Sequence, residues 1–198
     1  MKTVKIGIIF FSLIFAGSAF AQSFKFGSEP SGFRNVKWGT QLSTLSGMEY
    51  YKTSRTEGSY SEDQVGLEIY LDIYWKADDT LRIEGVEVES IEYGFWRGKL
   101  CEVTIAVKGF KSWTSLKEEI LGKFGKGKTA KFFNPALGFG GVGEGGFEEI
   151  EFHIWLGKIT EIDLQYDKNS QVGKLWMGST VLRERAFKEA EQGQRGKK

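Results

Sequence analysis

The chain of 198 residues contains one cysteine, one histidine and two prolines. With Cys101 alone, an internal disulfide is excluded, and the alternation around it makes it a buried small hydrophobe rather than a reactive thiol. One His and one Cys would leave a zinc site dependent on at least two carboxylates, and no D-x-D-x-D-G calcium loop occurs, so neither a metal nor a cofactor is expected. A surplus of one charge is lacking too: 27 Lys and Arg stand against 26 Asp and Glu. That balance argues against a nucleic-acid partner, which needs a basic face.

Long apolar runs are also missing, apart from the N-terminus. Lys2 and Lys5 precede an apolar run from Ile6 to Ala16, and Ala19-Phe20-Ala21 has the small-x-small pattern read by signal peptidase. The run is shorter than the about 18–20 residues a membrane span needs, and no Cys marks a lipoprotein cleavage point. The expectation is a signal peptide over 1–21, cleaved after Ala21, and a periplasmic or secreted protein without a transmembrane span. Taking 21 residues from 198 leaves 177; losing two Lys takes the bases from 27 to 25 against 26 acids. Such a chain fits one domain and buries a core without staples.

Alternation is the chief pattern that is present. Leu67, Ile69, Leu71, Ile73 and Trp75 alternate with Glu68, Tyr70, Asp72, Tyr74 and Lys76, a strand with one wetter side. Ile91, Tyr93 and Phe95, then Cys101, Val103, Ile105 and Val107, repeat the period on either side of a turn and predict a β-hairpin. A three-residue loop of Trp96, Arg97 and Gly98 would pair Phe95 with Lys99, Tyr93 with Cys101 and Ile91 with Val103, putting both apolar sets on one face. A two-residue Arg97-Gly98 turn would oppose apolar and polar sets. Beyond it, Ser112 as N-cap, Ser115 with Glu118 as capping box and the stripe Trp113, Leu116, Ile120 and Phe124 predict a helix over 113–124.

The hairpin recurs 59 residues on, where Ile154-Trp155-Leu156-Gly157-Lys158-Ile159 matches Phe95-Trp96-Arg97-Gly98-Lys99-Leu100. The same register would put Ile150, Phe152, Ile162 and Leu164 on one face, and the pattern is consistent with an internal duplication of a strand-strand-helix unit. Lys174 to Gly178 reads as a last short strand, and Leu182, Ala186, Phe187 and Ala190 share a face of a helix over 181–191. The fold expected is α+β: one domain over 33–191, a mainly antiparallel twisted sheet of six to eight strands with both helices on one face. Residues 22–32 read as a flexible lead, 126–146 as a Gly- and Lys-rich loop, and 192–198 as a disordered tail.

The residues Phe33-Arg34-Asn35-Val36-Lys37-Trp38-Gly39-Thr40, with the run from Leu81 to Leu100, resemble a group of small uncharacterised exported bacterial proteins. The likeness extends to about Gly125. It implies a fold and an exported address, and carries over no functional residue.

Three constellations bear on chemistry. Gly122 to Thr129 fits G-x-x-x-x-G-K-T, but a helix runs into it where a phosphate loop leaves a strand and opens a helix, so it reads as a capped helix with a basic exit. His153 shares strand parity with Glu149, Glu151 and Trp155, a set able to do acid-base work in an envelope hydrolase, or simply one solvated face of a strand. Trp96 and Trp155, at matching hairpin tips, and the glycine loop with Gly140 and Gly141 are the candidate binding elements, the alternative being that the indoles fold back as packing. The function these features favour is a non-enzymatic module that binds a small-molecule ligand or a protein in the cell envelope. A hydrolase or a structural envelope component are the alternatives.

Overall fold

The computed structural model describes residues 24–57, 67–132 and 150–195. The described residues open on a small hairpin, β1 (Gly32–Phe33) with β2 (Val36–Lys37), and after the long strands β3 (Met48–Glu57) and β4 (Glu68–Lys76) form a second, β5 (Arg82–Ile83) with β6 (Val86–Glu87). Then follow β7 (Ser90–Trp96), β8 (Lys99–Lys108), α1 (Phe110–Phe124), β9 (Lys128–Phe132), β10 (Ile150–Leu156), β11 (Thr160–Asp167), β12 (Val172–Ser179) and α2 (Thr180–Arg195). Eight strands form one antiparallel sheet in the order β3-β4-β7-β8-β12-β11-β10-β9, with β8 and β12 paired at its centre. The α+β architecture and the antiparallel sheet are therefore as expected.

The sheet is apolar on both faces, and the two helices take one face each. Val103, Ile105 and Val107 of β8, Leu175 and Met177 of β12, and Ile162 and Leu164 of β11 pack with Trp113, Leu116, Ile120 and Phe124 of α1. Leu67, Ile69, Leu71 and Ile73 pack instead with Ala186 and Phe187 of α2, flanked by Leu182 and Ala190. Both helical stripes are the expected ones, but the expectation of both helices on one face is wrong. The apolar stripe of β4 and that of β8 point to opposite sides, so each needs its own cover.

A bulge gives the hairpin a register other than the expected one. The turn is the two-residue Arg97-Gly98, both at positive φ (49° and 70°), which closes a hairpin in the sense that matches strand twist. Trp96 pairs with Lys99 and Phe95 with Leu100, but Gly94 pairs with Glu102, so Cys101 is an extra residue in β8. Beyond it Tyr93 faces Val103 and Ile91 faces Ile105, which restores matching apolar faces. The three-residue loop is thus replaced by a tight turn plus one bulged residue, and Cys101 is swung to the α2 side, where Trp96 already lies by alternation from Phe95.

Smaller corrections concern ends and edges. α1 begins at Phe110 behind Gly109, whose φ is 85°, so Ser112 and Ser115 lie inside the helix and cap nothing at its start. The edge strands β3 and β9 were not foreseen: β3 is polar and largely exposed, and β9 lies within the stretch read as a loop. From Phe24 the lead is bound rather than flexible. Phe24 is buried edge-on to Phe124, the Lys25 N–H donates to the Phe124 carbonyl, and Glu29 accepts from the N–H groups of Ile159 and Thr160. α2 runs on to Arg195, past the expected start of a disordered tail.

Candidate functional site

The segment from Phe33 to Thr40 is held by its own side chains. Phe33 is buried edge-on to Tyr93, and Trp38 Nε1 donates to Thr160 Oγ1 at 2.7 Å. Arg34, at φ 53° in the β1–β2 turn, pairs with Asp79 and donates to the carbonyls of Thr80 (2.6 Å) and Arg82 (3.1 Å). Asp79 also accepts from the Tyr93 hydroxyl at 2.6 Å. Burial, reinforced by this carboxylate, raises the Tyr93 phenol well above its ordinary value. The Gly39 N–H and Thr40 carbonyl bond to Leu100, which ties the segment to β8.

Anchored in this way, the β1–β2 hairpin stands off the sheet beside the β5–β6 hairpin, and a cleft of 680 Å³ opens between them and α1. That volume lies within the range of small-molecule sites. Its apolar lining includes Phe33, Val36, Ile83, Ile120, Phe124 and Met177, and its rim carries Arg34, Lys37, Arg82 and Lys123 with one acid, Glu84. Glu84 pairs with Lys123, and Arg82 with Glu87 at 3.1 Å.

The opposite face holds a second polar cluster, which α2 covers. One row across the sheet runs Gly94, Glu102, Gly178, Glu161 on β7, β8, β12 and β11. The two glycines make room for Glu102 and for the Trp176 ring: a Cβ on Gly94 would meet Glu102 Cγ at 2.6 Å, and one on Gly178 would meet the Trp176 indole at 2.4 Å. Arg183 of α2 stacks over Trp176 at 4.3 Å and lies 3.7 Å from Glu161. Burial pushes the Glu102 carboxyl up from its ordinary value, with Arg183 and Trp176 opposing. Burial, then the charge of Glu161, pushes Asp163 up to about 7. Among the described residues Glu102 Oε2 and Asp163 Oδ1 have no hydrogen-bond partner. Sequence reasoning missed this cluster because alternation marked Glu102, Glu161 and Asp163 as solvent-facing, whereas α2 on that face buries Glu102 and partly covers the other two.

The residues singled out from sequence fare differently. Trp96 is 9% exposed in the α2 core and Trp155 is 0% exposed in the α1 core, where its Nε1 donates to the Gly125 carbonyl at 3.0 Å, so neither indole offers a surface. The core face of β10 is the one carrying His153 and Trp155, not the one expected from Phe152: Trp155 pairs with Ile162 and His153 with Leu164. His153, expected on a solvated face, is 5% exposed, with its ring 6.0 Å from that of Trp155. Glu151 lies opposite Lys131 in the β9–β10 ladder. Glu149, Gly140 and Gly141 fall outside the described residues. Lys128 and Thr129 of the phosphate-loop look-alike lie in β9, after the C-cap Gly125, so no helix opens on them.

Among the described residues no group of three or more His, Cys, Asp or Glu is placed to hold a metal, and no helix is long and apolar enough to cross a membrane. No family model, curated protein or solved structure matches the chain.

Proposed function

We infer that the protein is an exported, non-enzymatic binding module of the cell envelope or medium, and that the cleft between its two small hairpins and α1 is where it binds. The single observation that carries this reading is a 680 Å³ concavity with an apolar lining and a charged rim, built by the anchored segment 30–37. The carboxylates on the other face lie under α2 and His153 is packed in the core, which favours the cleft as the place for a ligand. The exported address is supported by the Lys-led apolar run before Ala21 and by the likeness to small exported bacterial proteins.

The duplication belongs to the same proposal. Each half of the sheet is four strands followed by a helix, ordered from edge to centre, which supports a repeated unit larger than strand-strand-helix; the matching hairpins are β7–β8 in one half and β10–β11 in the other, and only the first runs directly into its helix, which requires divergence after it.

Hydrogen exchange on the mature chain, with and without a small-molecule extract of its own cells, tests the binding site. Protection gathered at residues 31–37, 82–84 and 120–124 is expected, and its loss in Asn35→Trp, which puts a large ring on the exposed cleft turn. Protection elsewhere with the cleft unchanged would overturn the assignment.

A further inference from the structure

The cleft joins two chemistries that a single ligand class satisfies together. Phe33, Ile83, Ile120, Phe124 and Met177, all buried core residues, line the cleft, so the edge of the core forms the apolar part of its floor. The rim is cationic, and its cations are not equally committed. Arg34 is fixed by Asp79 and by two carbonyls, which makes it a wall. Arg82 and Lys123 hold their acids in solvent: the side chains are 54% and 52% exposed, and Glu87 and Glu84 are more than two-fifths exposed. Exposed pairs of this kind contribute little and exchange partners readily. Lys37 projects from the same rim and is exposed.

We propose that the cleft takes a monomeric amphiphile, an apolar body with an anionic carboxylate or phosphate head, the head set against Lys37, Arg82 and Lys123. This rests on the cleft being the binding site. Glu84, at φ 46° in the β5–β6 turn, is the anion that already meets Lys123. An incoming head therefore competes with the Glu84 carboxylate, and Glu84 tunes affinity downward.

The test is titration of the mature chain, followed by backbone amide shifts, with dodecanoate and with dodecyltrimethylammonium, the same tail under opposite charges. Dodecanoate is expected to saturate with shifts at 31–37, 82–84 and 120–124, and the cationic probe to bind about tenfold more weakly. Lys37→Ala with Lys123→Ala is expected to weaken dodecanoate by about tenfold, and Glu84→Gln to tighten it several-fold, a gain that misfolding cannot mimic. Equal affinity for both heads, or no tightening in Glu84→Gln, would overturn the ligand class while the cleft shifts keep the binding site. Shifts confined to other surfaces would overturn both. Sedimentation with phosphatidylglycerol vesicles without any response to monomeric dodecanoate would overturn the proposal in favour of a membrane surface.

Discussion

Asp79 joins Arg34 on the cleft hairpin to Tyr93 in the sheet, so its removal strands two partners at once. Asp79→Ala is expected to cost about 2–4 kcal/mol, the range for breaking a largely buried charged network, and urea unfolding measures it. Gly178 is constrained differently, since the Trp176 ring occupies the space a Cβ would take. Gly178→Ala is expected to destabilise by about 1–3 kcal/mol, and Trp176→Phe to lower that cost when the two are combined; additive losses in the double-mutant cycle would contradict the contact. Cys101 is fully buried beside Glu102, and burial first, then that carboxylate, pushes its thiol up to about 12. Ellman's reagent is accordingly expected to label it only as the chain unfolds; labelling in the native state would mean that α2 opens readily.

Among the elements, α2 depends most on pH. Its inner surface meets Glu102 of β8 and Glu161 and Asp163 of β11 through Arg183, with Glu92 of β7 also acting on Glu102. Glu102 and Asp163 hold their protons more tightly folded than unfolded. For a carboxyl raised in this way, the stabilising contribution is complete below the unfolded value, 3.8 for Asp163, and is lost as pH rises to about 7. Asp163 alone accounts for at most about 4 kcal/mol of this loss. The exposed Asp78 and Asp167 act in the opposite direction: hydrogen bonds from Lys76 and from Ser170 hold them low, so their contribution is lost only as pH falls below the ordinary carboxylate range. Urea midpoints measured from pH 4 to 8 are expected to fall with rising pH, and Asp163→Asn to flatten the slope; a flat wild-type profile would contradict it. The elements themselves were largely legible. Trp113, Leu116, Ile120 and Phe124, like Leu182, Ala186, Phe187 and Ala190, keep helical spacing because each stripe is buried on one side only. The Cys101 bulge was not legible, because a bulge and an odd-length loop repair the same parity, and only the ladder distinguishes them.

At the scale of the whole molecule, the sheet divides two tasks between its faces. Beneath α1, a continuous row of Tyr93, Val103, Met177, Ile162 and Trp155 crosses five strands, and the cleft opens above this core where the two small hairpins stand clear. Beneath α2, the opposite core is closed over a charged cluster. This division explains why the candidate site was hidden in the sequence. Lys37, Arg82 and Lys123 lie on three segments far apart in the chain, and no spacing rule joins them until the hairpins fold onto the helix. Trp96 and Trp155 stand at hairpin tips, a position that predicts exposure, but each ring's burial depends on which face its strand turns inward.

Native mass spectrometry of the chain purified gently from the envelope or medium of its own cells tests the exported binding module most directly. The account expects a polypeptide mass beginning at Gln22 and an added small-molecule mass that Asn35→Trp abolishes. A mass retaining residues 1–21 would contradict export by cleavage, and an adduct undiminished in Asn35→Trp would contradict the cleft as its site.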